Sequence, residues 1–220
     1  MDEASLNHAV SRFEGERCEM IELLRSRGIT DELLLKAMER IERHRFVQAA
    51  FINRAYDDCA LPIGHQQTIS QPYTVAFMTQ CLEVSAAQKI LEIGTGSGYQ
   101  AAILAEMGAR VFTIERHGEL LAEARKRFDK LEYHVASKVG DGTLGWSEFA
   151  PFDGILVTAA APDVPEPLLQ QLSLSGKLVI PVGDLEIQNL RIITRINDQF
   201  RTAEAPGFKF VPLIGRKGWK

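Results

Sequence analysis

The spacing of hydrophobic positions changes near Ser85. Before it, apolar residues recur every three or four positions, the period of a helix with one face on a core. Cys18, Ile21 and Leu24 mark such a face within 14–27, and Gly28 is placed to end that helix. Thr30 or Asp31 can cap a second helix carrying Leu33, Leu34, Ala37, Met38 and Ile41. Leu61-Pro62-Ile63-Gly64 opens a loop running to Gln71, and Pro72 suits the first position of a third helix reaching Leu82. From Lys89 on, short unbroken apolar runs alternate with helical stretches. Residues 89–93 (KILEI), 110–114 (RVFTI), 133–139, 154–158 (GILVT) and 177–182 (KLVIPV) read as strands. Helices are predicted over 99–107, over 119–131 and around 167–172. Residues 190–196 (LRIITRI) read as a further strand, paired antiparallel.

Strands that are apolar at every position are buried on both faces. The pattern therefore predicts an α/β fold, a doubly wound and mostly parallel sheet with an N-terminal helical extension. Residues 1–82 supply the helices and a loop, packed on a core of 83–220 as one structural unit. In such a sheet a ligand sits beyond the carboxyl ends of the strands, where the strand order reverses.

Composition narrows the function classes. Lys and Arg number 25 against 29 Asp and Glu, a net charge of −4, which is the wrong sign for a dedicated nucleic-acid binder. No apolar run approaches the ~18 residues of a membrane-spanning helix. The start, MDEASLNHAV, lacks a basic region followed by an apolar stretch, so no secretory signal is expected. Cys18, Cys59 and Cys81 form no CxxC pair, which fits a reducing cytoplasm, and each reads as a small buried hydrophobe.

The strongest local chemistry is Leu91-Glu92-Ile93-Gly94-Thr95-Gly96-Ser97-Gly98, a strand running into three alternate glycines and then a helix. Glycine admits positive φ and close approach of a ligand to the backbone. A dinucleotide fingerprint would place its last Gly or Ala where Tyr99 stands, and the lysine of a phosphate-binding loop is missing, so the loop favours a ligand without pyrophosphate. Glu115 ends the second strand, roughly 20 residues beyond Gly94, where a carboxylate can accept both hydroxyls of a ribose. Gly140-Asp141-Gly142 follows the third strand. Its Asp can receive the exocyclic amine of adenine, or it can belong to an ordinary turn.

Together these parts resemble a class I S-adenosylmethionine-dependent methyltransferase of Rossmann-like fold. Leu61 to Pro72 (LPIGHQQTISQP), Pro151 to Ala160 (PFDGILVTAA), the Pro181-Val182-Gly183 turn and Phe210-Val211-Pro212-Leu213 further resemble the protein-L-isoaspartate O-methyltransferase family. Three departures stand out: Glu42 where the family often has Pro, and Gln66 and Ser175 where Gly is common. The resemblance implies methyl transfer from S-adenosylmethionine to the α-carboxylate of L-isoaspartyl residues in damaged proteins. The ester then closes to a succinimide, which initiates repair. It implies cofactor contacts by Gln67, Thr68, Ile69, Glu92, Gly94, Thr95, Gly96, Ser97, Gly98, Glu115, Asp141 and Gly142. Substrate contacts fall to Thr68, Ile69, Ser70 and Val211, with Phe210 and Pro212 beside them.

The substrate carboxylate is already ionised at neutral pH, so the reaction needs alignment rather than a base. Ser70 is expected to be the catalytic hydrogen-bond donor that orients it, or else a helix cap near Pro72. His65 is read as an exposed loop residue, and Asp57 and Asp58 as solvated or loop hydrogen-bonders. Arg125-Lys126-Arg127 is read as a solvated helix face. His8, His44, His117 and His134 lack metal-ligand spacing, so no metal is expected. The expected partners are isoaspartyl proteins and peptides, with no nucleic acid and no membrane, and a monomer in the cytoplasm is expected. Two alternatives stay open: a class I methyltransferase acting on a small molecule or RNA, and a cofactor-binding adaptor without catalysis.

Overall fold

The structure, a computed structural model, describes residues 3–220, with side chains from Arg12 onward. Met1, Asp2 and the side chain of His8 lie outside the described residues, as do the sequence readings that fall on them.

Helix α1 (Glu3–Ser26) is longer than the apolar face suggested, and Gly28 ends it with φ at +90°. The Ile29 amide reaches back to the Leu24 carbonyl and the Gly28 amide to that of Arg25, which satisfies carbonyls the helix leaves free. Cys18 is exposed, and Cys59 and Cys81 are half-buried, so none is the fully buried hydrophobe expected. The buried stripe of α1 runs instead through Met20, Ile21 and Leu24. Asp31 caps α2 (Glu32–Arg40) by accepting from the amides of Leu33 and Leu34. Leu35 replaces Leu33 on its buried face.

Residues 61–69 are a correction. The expected loop contains a hairpin, β1 (Leu61–Gly64) against β2 (Gln67–Ile69), pairing only with itself. Pro62 and Gly64 mask so short a strand in the sequence. Helix α3 (Pro72–Leu82) follows directly.

The main sheet has seven strands: β3 (Lys89–Ile93), β4 (Arg110–Glu115), β5 (Val135–Val139), β6 (Phe152–Val157), β7 (Leu172–Gly183), β8 (Gln188–Ile196) and β9 (Gln199–Phe208). Their order is β5-β4-β3-β6-β7-β8-β9, parallel from β5 through β7 and antiparallel thereafter. Helices α4 (Tyr99–Glu106), α5 (Gly118–Lys130) and α6 (Glu166–Gln170) connect the parallel strands. Strand β7 begins at Leu172, where a helix was expected to end, and β9 was not foreseen. One hydrophobic cluster joins α1, α2 and α3 to α4, α5 and one sheet face, so the N-terminal helices share a core with the sheet. A second cluster, with Phe112, Trp146, Phe152 and Leu168, fills the other face. The order reverses at β3, whose neighbours are β4 and β6. This puts the crevice at the carboxyl ends of β3 and β6.

Candidate active site

Strand β3 runs into the glycine turn, and the turn is held from three sides. The Gly94 amide donates to the Ile114 carbonyl at 2.8 Å. Thr158 Oγ1 donates to the carbonyls of Gly94 and Ile93, at 2.9 and 3.0 Å. Gly94 has φ at +97°, and a Cβ there would run into the Thr158 hydroxyl, so glycine is required on both counts. Gly98, with φ at +89°, starts α4 with the Phe128 ring packed where a Cβ would stand. The buried Thr95 and Ser97 face inward, Thr95 Oγ1 lying 2.6 Å from Thr113 Oγ1.

Glu115 is buried at the end of β4. Its Oε2 accepts from the Gly96 amide and its Oε1 from the His117 amide, both at 2.9 Å. Each oxygen keeps a second lone pair for a ligand. The carboxylate thus braces the turn and still faces the crevice.

Three cavities meet here. A cleft of about 550 Å³ is lined by Gln67, Gly94, Gly96, Glu115 and Gly142, and the chain segment Val211–Ile214 closes its far side. A second, of about 440 Å³, lies between the glycine turn and Ile69-Ser70, with Tyr99 and Gln100 at its floor. The third, of about 350 Å³, is bounded by Ser70, Gln71, Thr74, Lys209, Phe210 and Val211. Thr68 and Thr158 line all three. Thr158 was absent from the expected site set. It reads in sequence as one polar residue after an apolar strand, and only the fold shows what it faces.

Ser70 stands between the second and third cavities. The N-cap of α3 is Gln71, with no side-chain cap bond, so the Ser70 hydroxyl is not used as a cap. Gln67, Thr68, Ile69, Ser70, Val211 and the glycine turn are therefore brought together. Glu92 and Asp141 are not brought to the cavities. Glu92 is fully buried beneath the turn, where its Oε2 accepts from Thr113 Oγ1 at 2.5 Å. Burial pushes its carboxyl up to about 8. Asp141 Oδ1 accepts from the amide and hydroxyl of Thr143, at 3.0 and 2.6 Å, and its Oδ2 from the Arg216 amide at 2.8 Å. Burial alone would raise this carboxyl, but those donors outweigh it and hold the pKa below the ordinary value. With three of roughly four acceptor positions taken, Asp141 ties the C-terminal segment down.

One peripheral reading changes and two hold. His65, on the hairpin turn, is the exposed loop residue expected, with its Nε2 2.9 Å from a Glu119 carboxylate oxygen on α5. Arg127 turns inward from the face read as solvated and donates to the Arg45 carbonyl at 3.2 Å. Asp58 is a loop hydrogen-bonder, as expected, accepting from the Tyr73 amide at 2.8 Å. Among the described residues, no group of three or more His, Cys, Asp or Glu is placed to hold a metal ion. No described helix is long and apolar enough to cross a membrane.

The first cleft has glycine backbone on one wall and a carboxylate on another. A doubly wound sheet with this turn at its switch point, and no phosphate-binding lysine, fits the class I S-adenosylmethionine-dependent methyltransferases. The family model for protein-L-isoaspartate(D-aspartate) O-methyltransferase matches residues 15–218. A protein-L-isoaspartate O-methyltransferase of Syntrophus aciditrophicus is 49% identical over 215 residues, covering 96% of this chain and 99% of that protein. One from Chlorobium limicola is 51% identical over 221 residues and the full length of both chains. A solved protein-L-isoaspartate O-methyltransferase superposes with a TM-score of 0.83 at 25% identity, covering 92% of this chain and 67% of that one. A putative Plasmodium falciparum enzyme of the same name, solved with S-adenosyl-L-homocysteine, has the same fold, with a TM-score of 0.78 at 24% identity over 90% of this chain and 98% of its own. The chain belongs to the protein-L-isoaspartate(D-aspartate) O-methyltransferase family.

Proposed function

We infer that this chain methylates the α-carboxylate of L-isoaspartyl residues in damaged polypeptides, using S-adenosylmethionine, and that transfer occurs where the three cavities meet. The observation that carries this reading is the placement of Ser70. Its hydroxyl is free of the helix cap and stands on the wall between the cavity beside the glycine turn and the cavity edged by Phe210 and Val211. When bound, the cofactor supplies an electrophilic methyl on a sulfonium.

The chain's own residues bind, orient and exclude water. Glu115 offers its free lone pairs to the ribose hydroxyls. Gly94 and Gly96 admit the cofactor against the backbone, and Gly142, Leu213 and Ile214 enclose the adenine end. Thr68 and Ile69 separate cofactor from substrate. The substrate carboxylate is ionised on arrival, so Ser70 donates one hydrogen bond to it and takes no proton. The edges formed by Thr68–Ser70 and Val211 receive the polypeptide backbone on either side. The methyl ester carries a better leaving group than the free carboxylate: the backbone nitrogen of the isoaspartyl linkage attacks the ester carbonyl, methanol departs with the nitrogen's proton, and the succinimide closes without further catalysis.

Labelled methyl transfer to an isoaspartyl peptide, with its normal aspartyl twin as control, tests the reading. Transfer to the first alone is expected, whereas transfer to neither or to both overturns it. Ser70→Ala should lower single-turnover transfer by roughly tenfold to a hundredfold, the scale of one hydrogen bond to a charged group, with cofactor binding retained. Full activity in that variant would remove Ser70 from the mechanism.

A further inference from the structure

Arg43 opens a short 3-10 turn (Arg43–Phe46) and is fully buried. Its Nε donates to the Ala55 carbonyl at 2.8 Å and its Nη2 to the Ser70 carbonyl at 2.7 Å. The guanidinium carbon lies 4.7 Å from the centre of the Tyr99 ring. Nη1 and the buried Tyr99 hydroxyl each lack a well-formed hydrogen bond, and the two groups lie against each other so that each favours the other's charged form. Arg43 takes part in none of the ion pairs among the described residues. Asp58, whose charge it feels, is engaged by Arg27 and the Tyr73 amide.

A buried cation with no ion-pair contact is costly, and arginine does not escape the cost by losing its proton. Two carbonyls, the Tyr99 side chain and the more distant charge of Asp58 offset part of it and leave Nη1 without a full acceptor. Both Ser70 and Tyr99, the residues that hold the guanidinium, line the cavity beside the glycine turn. The other cations at the junction, Arg116 and Lys209, are exposed and line the neighbouring cavities instead.

We propose that Arg43 is a positioning residue for a carboxylate in that cavity: from behind the wall its charge draws the anion to the Ser70 hydroxyl. The proposal rests on the function inferred above, which brings two carboxylates to the junction, that of the isoaspartyl substrate and that of the cofactor's amino-acid moiety. Because Arg43 is shielded from water and salt, its field acts across the wall with less screening than a surface charge. Its hold on the Ser70 carbonyl also fixes the backbone that presents the hydroxyl. A merely structural arginine would do only the second.

The test separates the two roles by comparing ligands that differ in a carboxylate. Calorimetry on the full chain measures an isoaspartyl peptide against its α-carboxamide analogue, and S-adenosylhomocysteine against its decarboxylated analogue. Arg43→Met and Arg43→Gln remove the charge, and Arg43→Lys keeps it. The neutral variants should lose about tenfold in affinity for the acid member of one pair while the member without the carboxylate binds as before. Arg43→Lys should keep the wild-type preference within twofold, and the pair that responds identifies the carboxylate. Equal weakening of both members in both pairs would reduce Arg43 to a loop anchor and overturn the proposal. If neither neutral variant folds, loss of the acid preference in Arg43→Lys overturns it and retention supports it. A wild-type protein that fails to methylate the isoaspartyl peptide would sink the inferred function, while the cofactor pair would still judge Arg43.

Discussion

Glu92 shows how a residue at the centre of a motif can serve the fold. Its carboxyl is fully buried, one oxygen has no partner, and burial raises its pKa to about 8. An unfolded glutamate titrates near ~4.3. Between those values the folded state holds a proton that the unfolded state lacks. Stability is therefore greatest below the lower value and falls as pH rises through the upper one. Glu92→Gln should abolish that slope, and above pH ~8 the variant should melt at least a few degrees higher than the parent, since the slope is worth on the order of a few kcal/mol. Melting curves from pH 5 to 9 with unchanged slope would mean that Glu92 is ionised in the fold. The sequence announced the glycines and Glu115 because their chemistry is local. It could not announce Thr158 or Arg43, whose roles depend on neighbours 64 and 27 residues away.

At the scale of elements, two departures from the family pattern gain a physical meaning. Gln66 and Ser175 stand where glycine is common, and both have positive φ, at +58° and +64°. His65 precedes Gln66 with φ at +51°, so the β1–β2 hairpin turns through two left-handed residues without a glycine. Such a conformation costs an L-residue roughly 1–2 kcal/mol, partly offset by the extra freedom glycine has when unfolded. Gln66→Gly and Ser175→Gly should each stabilise the chain by up to about 1 kcal/mol. Urea midpoints that fall in both would show that the native side chains make compensating contacts. The central strands β3, β4 and β6 were legible to within two residues because their runs are nearly all apolar and buried on both faces. Strand β9 was not, since it is the exposed sheet edge, carries polar residues on both faces and contains Pro206 and Gly207. The start of β7, Ser173 to Gly176, hid although the strand is interior, because two serines and a glycine interrupt its apolar run.

At the scale of the molecule, the C-terminal segment returns across the sheet to complete the site. The Leu213 amide donates to the Ala160 carbonyl at 2.7 Å, the Ala160 amide donates to the Val211 carbonyl at 2.8 Å, and Trp219 Nε1 donates to the Ala160 carbonyl at 3.0 Å. Asp141 holds the Arg216 amide, and Thr143 Oγ1 accepts from the Lys217 amide at 3.1 Å. Asp141→Ala should loosen this strap and weaken S-adenosylhomocysteine binding by roughly tenfold to a hundredfold, the scale of losing charge-assisted hydrogen bonds. Amide exchange in 211–219 should speed up in the same variant. Weaker binding with undisturbed exchange would instead return Asp141 to direct contact with adenine.

Thr68 and Thr158 belong to all three cavities, so any shift that one ligand forces on these two side chains is met by the other. Whatever factor the filled cofactor cleft adds to the affinity for peptide, the peptide must return to the cofactor, because a binding cycle closes. A shared wall thus lets release of the demethylated product respond to whether the methylated chain has already departed. Residence times of the two ligands, measured together, would read that linkage directly.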